Sequence, residues 1–160
     1  MSLPPLPTPD PASQTYFCTR TDIETLWSAA DLLAAVDDDS SGTLSTAEEA
    51  LIDDAILRAA AQMTAYLAMR YAPASLMGNA WCRQTNAAIA AYLLAIRRGD
   101  PAPSQLAELY SLAMEDLHSL RQGAMVLPGA SESLEQLPSL TNFTPILGRD
   151  PIIAPRDLSW

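Results

Sequence analysis

The sequence predicts an all-α fold, and three observations carry that expectation. Apolar residues make up 49% of the chain, with much alanine and few aromatics, a composition suited to closely packed helices. Through the middle of the chain these residues recur at the three-and-four spacing of an amphipathic helix, without a competing strand pattern or internal repeat. Prolines cluster at the two ends, five in residues 1–15 and five more in residues 123–160. The chain therefore divides into an extended N-terminal arm (1–15), a helical body (16–122) and an extended C-terminal arm (123–160). At 160 residues it is long enough for one domain with its own core.

Four helices are expected in the body. Thr21 is the N-cap of the first, with Glu24 as its capping-box partner, and the helix runs to about Val36. Its apolar stripe is Ile23, Leu26, Trp27, Ala30 and Leu33. The second runs from about Thr46 to Tyr71 and buries Ile52, Ala55, Ala59, Met63, Tyr66, Leu67 and Arg70, until Pro73 stops it. The third begins between Met77 and Thr85 and ends at Gly99-Asp100-Pro101, a glycine-then-proline stop. Its alanines (Ala87, Ala90, Ala91, Ala95) allow close approach to a neighbour, with Ile89, Leu93 and Ile96 as larger knobs. Pro103 and Ser104 open the fourth, which carries Leu106, Leu109, Tyr110, Ala113, Leu117 and Leu120 to Gly123.

The arms read differently from the body. Proline-dense residues 1–15 cannot be helical and form an extended segment. Residues 123–160 are too apolar for a linker and too broken by proline for a helix or central strand. An apolar stretch of that kind is expected to gain its order by burial against another molecule; the alternative is a flexible tail that never orders.

Charge bounds the partners. The net charge is −10, and residues 21–60 concentrate it, with ten acids against one arginine. Such a surface repels nucleic acid instead of gripping it. Every base is arginine, whose fork suits bidentate pairing with carboxylates. The acidic segment either faces an arginine-bearing neighbour or is a solvated face. No apolar run has membrane-spanning length, and Met1 precedes prolines instead of a leader, so a soluble, non-exported protein without membrane partners is expected. Cys18 and Cys82 lack metal spacing and read as buried reduced thiols. His118, the one histidine, lies mid-helix beside Glu115 and Asp116 and reads as solvated. Without a phosphate loop, nucleophile elbow or second metal-type cluster, the expectation is a protein that is not an enzyme.

The most specific chemical motif is the segment 37–48, Asp-Asp-Asp-Ser-Ser-Gly-Thr-Leu-Ser-Thr-Ala-Glu. It fits the EF-hand loop template, with side-chain oxygens from Asp37, Asp39, Ser41 and Ser45 at positions one, three, five and nine. Gly42 supplies the turn at six, Thr43 a carbonyl at seven, Leu44 an apolar anchor at eight, and Glu48 a closing carboxylate at twelve. Calcium requires six to eight hard oxygens, and these residues can supply them. The same residue types also cap helices and turns without any ion. Sensors usually pair two loops, so a single loop favours a structural Ca2+ over a switch.

Four groups of residues, taken together, resemble a known family. They are Tyr16-x-x-Thr19-x-x-Asp22-Ile23; Tyr66-Leu67-x-x-Arg70-Tyr71 followed shortly by proline; Asn86-x-x-Ile89-Ala90-x-Tyr92-x-Leu94; and Tyr110-x-x-Ala113-x-x-x-Leu117-x-x-Leu120-x-x-Gly123-x-x-x-Leu127. In order and spacing the chain resembles the head–tail connector (head-completion adaptor) proteins of tailed bacteriophages, especially those of Mu-like phages and prophages. The likeness covers residues 16 to 127. The EF-hand-like loop and the proline-rich N-terminal arm depart from that pattern. The resemblance implies a four-helix connector body forming a homo-oligomeric ring, typically of twelve copies, assembled in the host cytoplasm and placed at the portal vertex of the virion. It further implies a portal protein above, a tail or stopper protein below, and DNA passing through the lumen without specific binding. The alternative is a calcium-responsive regulatory module that uses the 37–48 loop as its switch.

Overall fold

The computed structural model describes residues 17–130; the expected N-terminal arm, and all of the C-terminal arm from residue 131 onward, lie outside the described residues. Six helices form, and no strand is present among the described residues: α1 (Arg20–Leu26), α2 (Ala29–Val36), α3 (Thr46–Leu67), α4 (Pro73–Leu76), α5 (Ala80–Ala95) and α6 (Ser104–Gln122). None of these helices is long and apolar enough to cross a membrane.

The centre of the fold is α5, which packs against α1, α2, α3 and α6. Its residues Thr85 through Ala91 are all buried, so the middle of the helix is enclosed all round. The alanines expected to admit one close neighbour admit several. Ala87, Ala90 and Ala91 present almost no side chain, and the surrounding helices approach the backbone itself. Asn86 is fully buried among them; its amide donates to the Ile56 carbonyl of α3 at 3.3 Å. The long helices α3 and α6 pack on one another through Gln62, which reaches Tyr110 and Met114. Tyr110 stacks on Tyr92 of α5 with ring centres 4.1 Å apart.

Local structure departs from the sequence expectation at the first helix. The cap is Thr19, whose N–H and hydroxyl both donate to Asp22 at 2.9 Å. Thr21 lies inside α1, and Glu24 pairs with Arg20 at 2.6 Å instead of capping. The helix then breaks at Trp27, which is extended, and Ser28 caps α2 by accepting the Asp31 N–H. A serine followed three residues later by an acid competes with helix continuation by capping a new start. The break rotates the second half, so Leu32 and Val36 are buried while Ala30 is exposed.

The second expected helix ends four residues early. Arg70 and Tyr71 both donate backbone N–H groups to Leu67, and Pro73 opens the unanticipated turn α4. Asn79 caps α5 by accepting from Trp81 and Cys82. The last helix begins at Ser104 and stops at Gly123, as the sequence suggests. Gly123 adopts φ +80° and its N–H turns back to Leu120 and Ser119.

The body does not end at residue 122. Leu127 is buried in the same core, and its N–H donates to the Tyr71 hydroxyl at 2.9 Å. Arg70 donates to the carbonyls of Leu120 at 2.6 Å and Met125 at 3.3 Å, while Asn79 donates to that of Pro128 at 2.7 Å. Residues 124–130 are therefore held on the body by side chains from the α3–α5 connection. Cys18 and Cys82 are both buried and unpaired. Burial and then the Asp22 charge push the Cys18 thiol up to about 12, and burial pushes that of Cys82 up to about 11.

Candidate metal centre

The 37–48 loop joins α2 to α3, and its fold is set by its own carboxylates. Asp37 accepts the N–H groups of Ser41 at 3.0 Å and Gly42 at 2.9 Å, and Asp39 accepts that of Ser41 at 3.0 Å. Ser40 and Gly42 take positive φ values of 58° and 71°, so the chain turns sharply enough to aim these donors inward. Leu44 packs against the core and anchors the loop, as expected of position eight. The hydrogen bond from Gly42, ahead of the one from Ser41, holds the Asp37 carboxyl below the usual carboxylate range.

Glu48 closes the loop from the first turn of α3 and is only 4% exposed. One of its oxygens accepts from the Asp38 N–H at 3.2 Å. The other accepts from the N–H and hydroxyl of Ser45 at 2.7 and 2.9 Å. The Ser45 hydroxyl in turn caps α3 at the Glu48 N–H. The residues expected at positions nine and twelve thus form the capping box of α3.

The structure brings oxygens of Asp37, Asp39 and Glu48 within 4.8 Å of one another. Ser41 and Thr43 sit together, the Ser41 hydroxyl donating to the Thr43 carbonyl at 2.9 Å. Every donor is oxygen, the set suited to a hard cation such as Ca2+ and unsuited to softer metals. The hydrogen bonds already made do not exclude an ion. Each carboxylate has about four lone-pair directions, and the N–H groups occupy only some of them.

Sequence reasoning passed over the loop's main external support. Asp38 points away from the carboxylate cluster and is gripped by two adjacent arginines at the end of α5. Arg97 donates to both its oxygens, at 3.0 and 2.6 Å, and Arg98 reaches it at 2.9 Å. The same guanidinium groups satisfy the last carbonyls of α2, Arg97 at Ala35 and Arg98 at Ala34 and Asp37. Cations at a helix C-terminus are favoured by the helix dipole as well as by these bonds. Hydrogen bonds from Arg97 and then Arg98 hold the Asp38 carboxyl at about 2, and Asp38 raises Arg97. Part of the acidic segment therefore finds its arginines within the chain. A basic pair just before the Gly99 stop was the available signal.

The residues carrying the family resemblance also meet. Arg70 and Tyr71 at the end of α3 hold Leu120 through Leu127, so the second and fourth groups form one cluster. His118 is exposed, with its ring edge-on to Tyr66 at 5.0 Å.

A family model described as Bacteriophage Mu, Gp36 matches residues 17–142, most of the chain. No curated protein and no solved structure matches it.

Proposed function

The chain belongs to the bacteriophage Mu Gp36 family and is a phage structural protein associated with the virion, and on that premise we propose that it is a head–tail connector subunit. In this reading, copies form a ring, of about twelve by the family resemblance, beneath the portal, with the tail or a stopper protein attached below. The single observation that carries the reading is the family match, which spans the helical body and the cluster formed by its motif residues. A body built around one enclosed helix is a stiff spacer, suited to transmitting load without chemistry. The acidic charge of residues 21–60 favours a lumen through which DNA slides, because like charges offer no counterion-release gain. Electron microscopy of the protein mixed with its portal tests the assignment. A closed ring coaxial with the portal is expected; decoration elsewhere on the particle, or none, overturns it.

We further propose that the 37–48 loop binds a structural Ca2+ through Asp37, Asp39, Ser41, the Thr43 carbonyl, Ser45 and Glu48. The loop's hydrogen bonds and the Arg97–Asp38–Arg98 grip favour a brace over a calcium-responsive switch, since the hairpin is already held. Calorimetry is expected to detect Ca2+ binding with unchanged helical circular dichroism, and Glu48→Gln is expected to weaken it about tenfold or more. Equal affinity in the variant would place any ion elsewhere, and a large change in helicity would favour the regulatory reading.

A further inference from the structure

The enclosed middle of α5 carries a polar side chain that the core satisfies only in part. Asn86 is fully buried, and its amide donates to the Ile56 carbonyl of α3 at 3.3 Å. That bond fixes the orientation of the group, because a flipped amide would set two oxygens against each other. The Asn86 Oδ1 is then buried with no hydrogen-bond partner among the described residues. Desolvating an unpaired carbonyl costs more than one long neutral hydrogen bond returns, so an apolar residue of the same shape would be more stable here.

We propose that Asn86 is a register pin, which holds α5 in a single placement against α3 at a cost in stability. The alanines that let α5 be enclosed also leave its packing ambiguous. Ala87, Ala91 and Ala95 recur every four residues, and they form a ridge that repeats along the helix. Ala87 borders a cleft with Thr25 and Leu26 of α1, and Ala95 borders a groove with Ala34 and Ala35 of α2. A slide of α5 by four residues, ~6 Å, would put Ala91 where Ala87 stands and Ala95 where Ala91 stands. Leu93 would take the place of Ile89, one large apolar side chain for another. For Asn86 the slide is not neutral. Ala90 would face the Ile56 carbonyl, and the amide would move to the buried position of Cys82, away from its acceptor. The other polar ties of α5, from Asn79, Arg83, Arg97 and Arg98, lie at its two ends on side chains that reach solvent. A single buried asparagine fixes register between packed helices in the same way, and also at a cost in stability. Because α1, α2, α3 and α6 all rest on α5, one placement gives every copy of the protein the same surface.

Hydrogen exchange read by mass spectrometry, beside the melting temperature, tests this on the full-length chain. Asn86→Leu keeps the branched shape of the side chain and removes both polar atoms. It is expected to melt no lower than the wild type, and up to about 5 °C higher, since no carbonyl is left unpaired. Exchange across residues 80–95 is nonetheless expected to rise about tenfold or more, because α5 can then move between placements. A lower melting temperature, with exchange faster to match, makes Asn86 an ordinary stabilising contact and overturns the proposal. Wild-type protection of 80–95 in the folded variant overturns it as well. Should leucine prove too large for the variant to fold, Asn86→Ala adds no volume and is compared with Ile89→Ala, which leaves the larger cavity. A greater rise in exchange for Asn86→Ala than for Ile89→Ala supports the pin; an equal or smaller one overturns it.

Discussion

Replacing Arg70 by alanine is expected to lower stability by about 2 kcal/mol, the usual worth of hydrogen bonds to a charged group, and to free residues 120–130. Arg70 is half-buried, stacks over Tyr71 and donates to the Leu120 and Met125 carbonyls, one at the end of α6 and one beyond it. A cation there also opposes the negative end of the α6 dipole. Tyr71→Phe probes the same junction differently. It leaves the Leu127 N–H buried without its acceptor, at a cost of about 1–3 kcal/mol. Hydrogen exchange should rise across 120–130 in both variants while α5, at the centre of the core, stays protected. A melting temperature lower by roughly 5–10 °C should accompany the Arg70 change. Unchanged exchange in 124–130 would mean that Leu127 packing alone holds this segment, and the junction would lose its importance.

Deleting residues 131–160 is expected to abolish attachment to the portal ring while leaving helicity intact. Among the described residues the core cluster runs from Phe17 to Leu127. The deleted segment carries Leu134, Leu137, Leu140, Phe143, Ile146, Leu147, Ile152, Ile153, Leu158 and Trp160, an apolar content that a partner would have to cover. Circular dichroism and co-sedimentation with portal measure the two arms of this expectation. Lost helicity would assign the segment to the body's own core; retained attachment would remove it from the interface.

The helical class, the start of α3 and both ends of α6 were legible from periodicity and from start and stop signals, which act within a few residues. The loop was legible for the same reason, since its ligand pattern is consecutive. The first helix misled because two hydroxyl–acid pairs three residues apart, Thr19–Asp22 and Ser28–Asp31, both cap, and the second interrupts a continuous apolar stripe. Residues 124–130 read as part of an arm because their anchors, at Met125, Leu127 and Pro128, find partners in Arg70, Tyr71 and Asn79, far away in sequence.

By itself, then, the sequence determined what short-range chemistry determines: helices, caps, an oxygen-rich loop and the residues of a family pattern. Only the tertiary structure decided that Arg97 and Arg98 grip Asp38, that Arg70 and Tyr71 hold the end of α6, and that the middle of α5 is enclosed on all sides. These pairings join residues about fifty or more positions apart. No local propensity encodes such a meeting. It follows from packing the other helices around the alanine-rich surface of α5, where small side chains let backbones approach and bring distant ends together.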